Sequence, residues 1–241
     1  MWNRKDLKSK AKTILKGNYW PAFLVSFIIL ITGGSHNHGE FGSGAGSSGG
    51  SSAMGGNFEI FFFTGAVILV LVILRVFIGY ILEVGGRKYY IQLSNGKSNI
   101  ANLGYVLKEG SYFNVFITML LRSIYLILWT LLLIIPGIIK LYAYRMVPYI
   151  LADNPDIKAG RAIQLSKEMT DGEKMDIFIL DLSFLGWFIL GSLLFGIGIF
   201  FVQPYYDSTN GELYLKLRKK ALERNLTTHQ ELRLNIETSS I

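Results

Sequence analysis

Four ionisable side chains stand where hydrocarbon is expected. Arg122, Lys140, Arg145 and Asp181 each interrupt a long apolar run. A charge at membrane depth is unfavourable, so it turns toward a protein interior or a wet cavity. With Arg75, which lies in another apolar run, cations outnumber anions in this set. That balance suits a polar pocket for an anionic group such as a lipid phosphate. The same residues also suit a structural Arg–Asp network, with Arg75 extending toward the interface. Asp181 is expected to pair with Arg145 or Arg122.

Two further features bear on function. Pro136-Gly137 and Gln203-Pro204 interrupt apolar segments. Interrupted helices mark substrate sites in secondary transporters, although prolines also sit at ordinary turns between membrane helices. The segment 155–169 reads as a short helix opened by Asn154-Pro155 and stopped by Asp171-Gly172. It places Ile157, Ile163 and Leu165 inward and Lys158, Arg161 and Lys167 outward. It serves either to dock a soluble partner or to connect two membrane hairpins.

Familiar chemistry is missing from the sequence. There is no phosphate-binding Gly-rich loop, no His-Glu-x2-His and no Gly-x-Ser-x-Gly. His36, His38 and His229 all lie outside the apolar runs, which argues against a membrane hydrolase with a buried His base. His36 and His38, with Glu40 nearby, make a weak metal pair in a Gly/Ser loop. Ser166-Lys167 lacks a partner base at helical spacing. With no cysteine, a disulfide, a Cys-ligated metal and a Cys nucleophile are excluded. No metal and no intrinsic cofactor are expected.

These residues must be positioned by membrane helices. The chain has 241 residues, 51% of them apolar and 17% charged, against about 25% charged in soluble proteins. Mean hydropathy is +0.37. The net charge of +7 is concentrated: six Lys/Arg fall in 1–18, four in 83–111, four in 153–175 and six in 204–241, with none in 33–57. That is the positive-inside pattern, so anionic headgroups rather than nucleic acid are the expected partners.

Residues 1–17 carry Leu7, Ala11, Ile14 and Leu15 at helical spacing, an amphipathic helix expected in the interface. An apolar stretch then runs to about Ile31 and is expected to be a retained signal anchor. The Gly/Ser-rich 33–57 should be a flexible outer loop. Residues 58–82 form a second span ending at Glu83–Lys88, followed by short helices over 87–111 with Tyr89 and Tyr90 near the headgroups. Tyr112–Asp153 covers 42 residues without a polar break, about 63 Å as helix. Division at Pro136-Gly137 gives spans over 112–134 and 137–152. Met175–Val202 and a polar helix to about Leu217 make a last hairpin, turning near Phe195–Gly198. The expectation is a single all-α domain, a six-span transmembrane bundle with both termini cytoplasmic, a connector at 153–174 and a tail at 218–241. Five spans is the alternative, and the oligomeric state is left open.

Four stretches, Leu7–Phe27, Leu131–Ile157, Ala162–Trp187 and Gly196–Tyr214, resemble the bacterial integral membrane family catalogued as domain of unknown function 975. IIPGIIK and DNP are the most specific parts. More loosely, the Pro-Gly and the cationic limb are similar to the membrane domain of some glycerophosphodiester phosphodiesterases. The first resemblance implies a multi-spanning membrane protein and no particular activity. The function expected is that of a non-enzymatic transporter-like or accessory protein, with a membrane or cytoplasmic protein as a further partner. The competing reading is a membrane-embedded enzyme acting on lipid headgroups or lipid-linked substrates.

Overall fold

The computed structural model describes residues 2–32, 58–193 and 197–234; the side chains of 58–75 and of Ile134 are outside this description. Every regular element among the described residues is helical. The expectations for the 33–57 loop, for His36, His38 and Glu40, and for the side chain of Arg75 therefore fall outside the described residues.

Helix α1 (Arg4–Leu15) begins at Asn3, whose side chain accepts from the Lys5 amide, and buries Leu7, Ala11 and Leu15. Gly17, at φ +99°, lets the chain turn before α2 (Tyr19–Ile31). The two helices meet at 109°. The apolar stripe of α1, expected against lipid, is covered by protein instead: Leu7, Ala11 and Leu15 are 1%, 0% and 6% exposed.

Helix α3 (Phe58–Ser94) runs on past the expected end of the second span. Its 37 residues make about 55 Å of helix. Gly85 and Gly86 do not end it, because they serve packing. A Cβ on Gly85 would stand 2.2 Å from the Leu103 carbonyl oxygen, and one on Gly86 would stand 2.1 Å from Ile29. Tyr89 and Tyr90, expected near headgroups, are fully buried. A 3-10 turn (Ile100–Gly104) and the short α4 (Tyr105–Glu109) complete the expected short helices.

Helices α5 (Tyr112–Leu132) and α6 (Ile134–Ala143) form a hairpin. The break falls at Leu133, which is extended at φ −158° and ψ 135°. Pro136 lies in the first turn of α6, where a missing N–H is harmless. Gly137 allows the close return, since a Cβ there would lie 2.8 Å from Thr130 Cα. The return limb is two pieces rather than one span. The chain turns at Tyr144–Met146 and continues as α7 (Val147–Asp153). Helix α6, at 10 residues, covers about 15 Å.

Helix α8 (Ala159–Met169) starts four residues later than expected. Asn154 instead ends α7, and its side chain accepts from the Asp156 amide in an Asx turn. Ile157, Ile163 and Leu165 are buried, as their spacing predicts.

Helices α9 (Lys174–Leu193) and α10 (Ile197–Glu223) cross so closely that a Cβ on Gly191 would lie 2.8 Å from the Gly198 carbonyl carbon. Pro204 does not interrupt α10; the helix continues through it. The ring removes the bond to the Phe200 carbonyl, and Tyr19 Oη donates to the neighbouring Phe201 carbonyl at 2.9 Å. The transporter-like pair of broken helices is thus not formed.

Helices α5 and α9 are each long and apolar enough to cross a membrane, and α1 with α2 makes a third candidate if the bent pair counts as one span. Both α5 and α9 expose large apolar side chains, among them Leu128, Leu131, Leu185 and Trp187. An apolar exterior of this extent suits hydrocarbon rather than water. Helix α10 is the opposite case. Its Gln203, Asp207, Ser208, Thr209, Asn210 and Glu212 are all buried, and it packs against α1, α2, α3, α8 and α9.

Candidate functional site

On α10, Gln203, Tyr206, Asp207 and Asn210 recur at i, i+3, i+4 and i+7, so they share one helix face. The elements packed around that face bring two arginines to it and a third beside them. Arg145 comes from the α6–α7 turn, Arg87 from α3 and Arg122 from α5.

Arg145 is 1% exposed and is the most fully engaged of the three. Its two terminal nitrogens grip both oxygens of Asp181 on α9, at 2.5 and 2.8 Å. Its Nη2 also reaches Tyr206 Oη at 2.8 Å and Asn210 Oδ1 at 2.6 Å. Tyr206 Oη donates in turn to Asp181 Oδ1 at 3.0 Å. This is the fork-on-fork geometry that makes Arg–carboxylate pairs directional.

Arg87 makes the second centre. It donates to Asp207 Oδ1 at 2.9 Å and stands 3.7 Å from Glu83, one turn earlier on α3. Asp207 also accepts from Ser26 on α2 at 2.6 Å and from Gln203 at 3.2 Å. The Ser26 and Tyr90 hydroxyls lie 2.6 Å apart, and Tyr90 donates to the Ala22 carbonyl.

Arg122 joins the two centres. Its Nε donates to the Tyr144 carbonyl at 3.1 Å, next to Arg145, and its Nη1 lies 3.9 Å from Glu83. The ring of Tyr149 is stacked on Tyr214 and lies 5.2 Å from the Arg87 guanidinium. The result is a buried lattice of three guanidiniums and three carboxylates.

The expected pair Asp181–Arg145 is therefore present, and Arg122 belongs to the same lattice. Lys140 does not. Its Nζ sits 4.6 Å from the centroid of the Trp129 ring, a cation–π contact. It lines a separate cavity of about 260 Å³ with Lys167, Glu168, Asp171 and Lys174. Leaving Lys140 out changes the chemistry, because among the described residues of the lattice three arginines are matched by three carboxylates of the same chain. Glu83 and Arg87 were not among the expected members, and Asp207 was expected as an intramembrane charge of the last helix but not as part of the cluster. The Glu83–Arg87 i,i+4 spacing and the polar face of α10 are the sequence signals that point to them.

The α8 cations also separate. Lys158 and Lys167 are exposed. Arg161 is half-buried and bonded to Glu231 at 2.7 and 3.0 Å, to the Leu226 carbonyl at 2.6 Å and to Glu168 at 3.3 Å. It holds the segment that follows α10. The tail expected from 218 is helical to Glu223, after which residues 226–234 fold back as a strap. Leu232 is fully buried, Asn154 donates to the Glu231 carbonyl, and Arg233 binds Asp156 at 2.5 Å. The hydrogen bond from Arg161 holds Glu231 below the usual carboxylate range, and those from Ser111 and Arg233 do the same for Asp156.

Among the described residues, no three His, Asp or Glu side chains gather as metal ligands would. No curated protein and no solved structure matches the chain. A family model does match, over residues 1–144 and 130–221, and its description is "Protein of unknown function (DUF975)". The lattice spans that matched region from Ser26 to Asn210, and the chain belongs to the DUF975 family of proteins of unknown function.

Proposed function

We propose that the chain is a non-enzymatic, multi-pass protein of a bacterial cytoplasmic membrane that works as an accessory subunit. Six segments enter the membrane: α2, the first part of α3, α5, α6, α9 and the first half of α10. Both ends, the short helices 100–109, α8 and the strap lie on the cytoplasmic side. The positive-inside distribution of Lys and Arg supports that orientation.

The observation that carries the accessory reading is charge balance. Arg87, Arg122 and Arg145 are met by Glu83, Asp207 and Asp181 of the same chain. A carrier for an anion needs a cation left over, and an enzyme needs a free carboxylate. Both oxygens of Asp181 are occupied, by Arg145 and Tyr206. The lattice therefore fastens short helices to α10, and the exposed Lys158 and Lys167 of α8 are offered to a partner.

Native mass spectrometry after gentle extraction from the cell's own membranes tests this reading. A stoichiometric protein partner is expected, and it should be lost in Lys158→Glu/Lys167→Glu while the chain stays folded. A chain without a partner that carries a small anion, lost in Arg145→Ala, would overturn the accessory reading in favour of a carrier.

A further inference from the structure

Helices α1 and α10 and the start of α9 enclose a groove of about 540 Å³ that is separate from the lattice. That volume is within the usual range of small-molecule sites, about 300–1,000 Å³. Its wall is the last part of α10, where Lys216, Lys219, Lys220, Glu223 and Arg224 recur at i, i+3, i+4, i+7 and i+8 and so share one face. Lys10 and Asp6 face them from α1.

The charges of the groove are unevenly satisfied. Glu173 is turned inward, accepting from Trp2 Nε1 at 2.9 Å and from Lys220. Lys10 stands 3.8 Å from the buried Glu212. Lys216, Lys219 and Arg224 have no ion pair or side-chain hydrogen bond with any described residue. Only Asp6 and Glu223 remain to oppose them, and both are exposed.

We propose that this groove binds a phosphate-bearing anion. Three unpaired cations in one concavity suit a compact group with several charged oxygens: the two lysine ammoniums serve phosphate as point charges, and the planar Arg224 guanidinium offers it a two-pronged donor. The place of the groove favours a lipid source. Glu173, which lines it, immediately precedes the apolar α9, and Trp2 lines it too, a residue type enriched at headgroup layers. The site does not depend on the chain having a protein partner.

The test uses the full chain in a neutral detergent, with two titrations followed by native mass spectrometry and calorimetry. One adds phosphatidylglycerol and the other adds inorganic diphosphate. The variant Lys216→Gln/Lys219→Gln/Arg224→Gln is compared with Lys12→Gln/Lys97→Gln/Lys108→Gln, which removes the same charge elsewhere. At about fivefold per cation, the groove variant should bind about a hundredfold more weakly, while the control keeps most of its affinity. A second variant, Asp6→Asn/Glu223→Gln, removes the two opposing carboxylates and should bind several-fold more tightly, so the proposal does not depend on one variant folding. Binding of the lipid alone assigns the site to a headgroup, and binding of diphosphate assigns it to a soluble phosphate compound. Binding in neither titration, equal loss in groove and control variants, or no gain in the second variant overturns the proposal.

Discussion

Replacing Asp181 with leucine removes one partner of a buried pair and leaves the other. Arg145 keeps its bonds to Tyr206 and Asn210 but loses both oxygens of its counter-ion. Breaking a buried pair this way costs about 3–5 kcal/mol, because an uncompensated charge stays inside. For a chain of this size that is roughly 6–20 °C in Tm. Replacing both residues, Arg145→Met with Asp181→Leu, removes the charge along with its partner. An apolar pair of similar volume is often neutral, so the double variant should recover at least half of the loss. What it does not recover is the pairing of Tyr206 and Asn210 with the guanidinium. Thermal unfolding of purified protein in detergent, read by size-exclusion recovery, compares the parent, the single and the double variant. An Asp181→Leu protein within about 2 °C of the parent, or a double variant no more stable than the single, would refute the claim that this pair holds α9 to the α6–α7 turn. The charge swap, Arg145→Asp with Asp181→Arg, should likewise raise the expression lost in Asp181→Arg alone.

Three further outcomes are expected. Gly85→Ala should destabilise by about 1–3 kcal/mol, since its Cβ meets the Leu103 carbonyl; Gly160→Ala, with nothing within 4 Å, should be neutral or gain up to about 1 kcal/mol. Glu231 and Asp156 are held below their ordinary carboxylate values, so the strap's contribution is complete above those values and is lost as pH falls through the lowered ones. Amide exchange over 226–234, corrected for intrinsic rate, should rise in acid and rise at neutral pH in Glu231→Gln. Ser240→Cys, in a chain with no other cysteine, should react with an impermeant maleimide only after cell lysis; labelling of intact cells would count against a cytoplasmic C-terminus.

Composition and hydropathy were sufficient for the helical class and for α5 and α9, because a long apolar run has few other uses. That Asp181 pairs with an arginine inside the apolar runs was also legible, since a lone anion there has few other partners, but the choice of Arg145 over Arg122 was not. Lys140 was misplaced by the same reasoning. Its depth in the sequence was clear, but the side-chain direction that carries it to Trp129 was not. The two glycines after Glu83 were misjudged for a related reason. In isolation Gly85-Gly86 weakens a helix, and only the approach of Leu103 and Ile29 makes that smallness useful. Pro204 marks a break by local rules that tertiary packing overrides, with α1, α2, α3 and α9 packed against an α10 that stays continuous. The strap escaped detection because its apolar anchors, Leu226, Leu232 and Leu234, follow no regular period.

The polar face of α10 lies late in the chain, and that affects the timing of assembly. Ser26 and Asp207, which bond directly, are 181 residues apart, and Arg87 waits 120 residues for the same carboxylate. At about 5–20 residues per second of synthesis, α2 spends roughly 10–40 s beside the ribosome before its partner exists. During that interval the cations already made have no counter-ions on α9 or α10. A product truncated before α10 lacks the Asp207 carboxylate that meets Ser26 and Arg87, so its defect is a charge left unmatched in apolar surroundings.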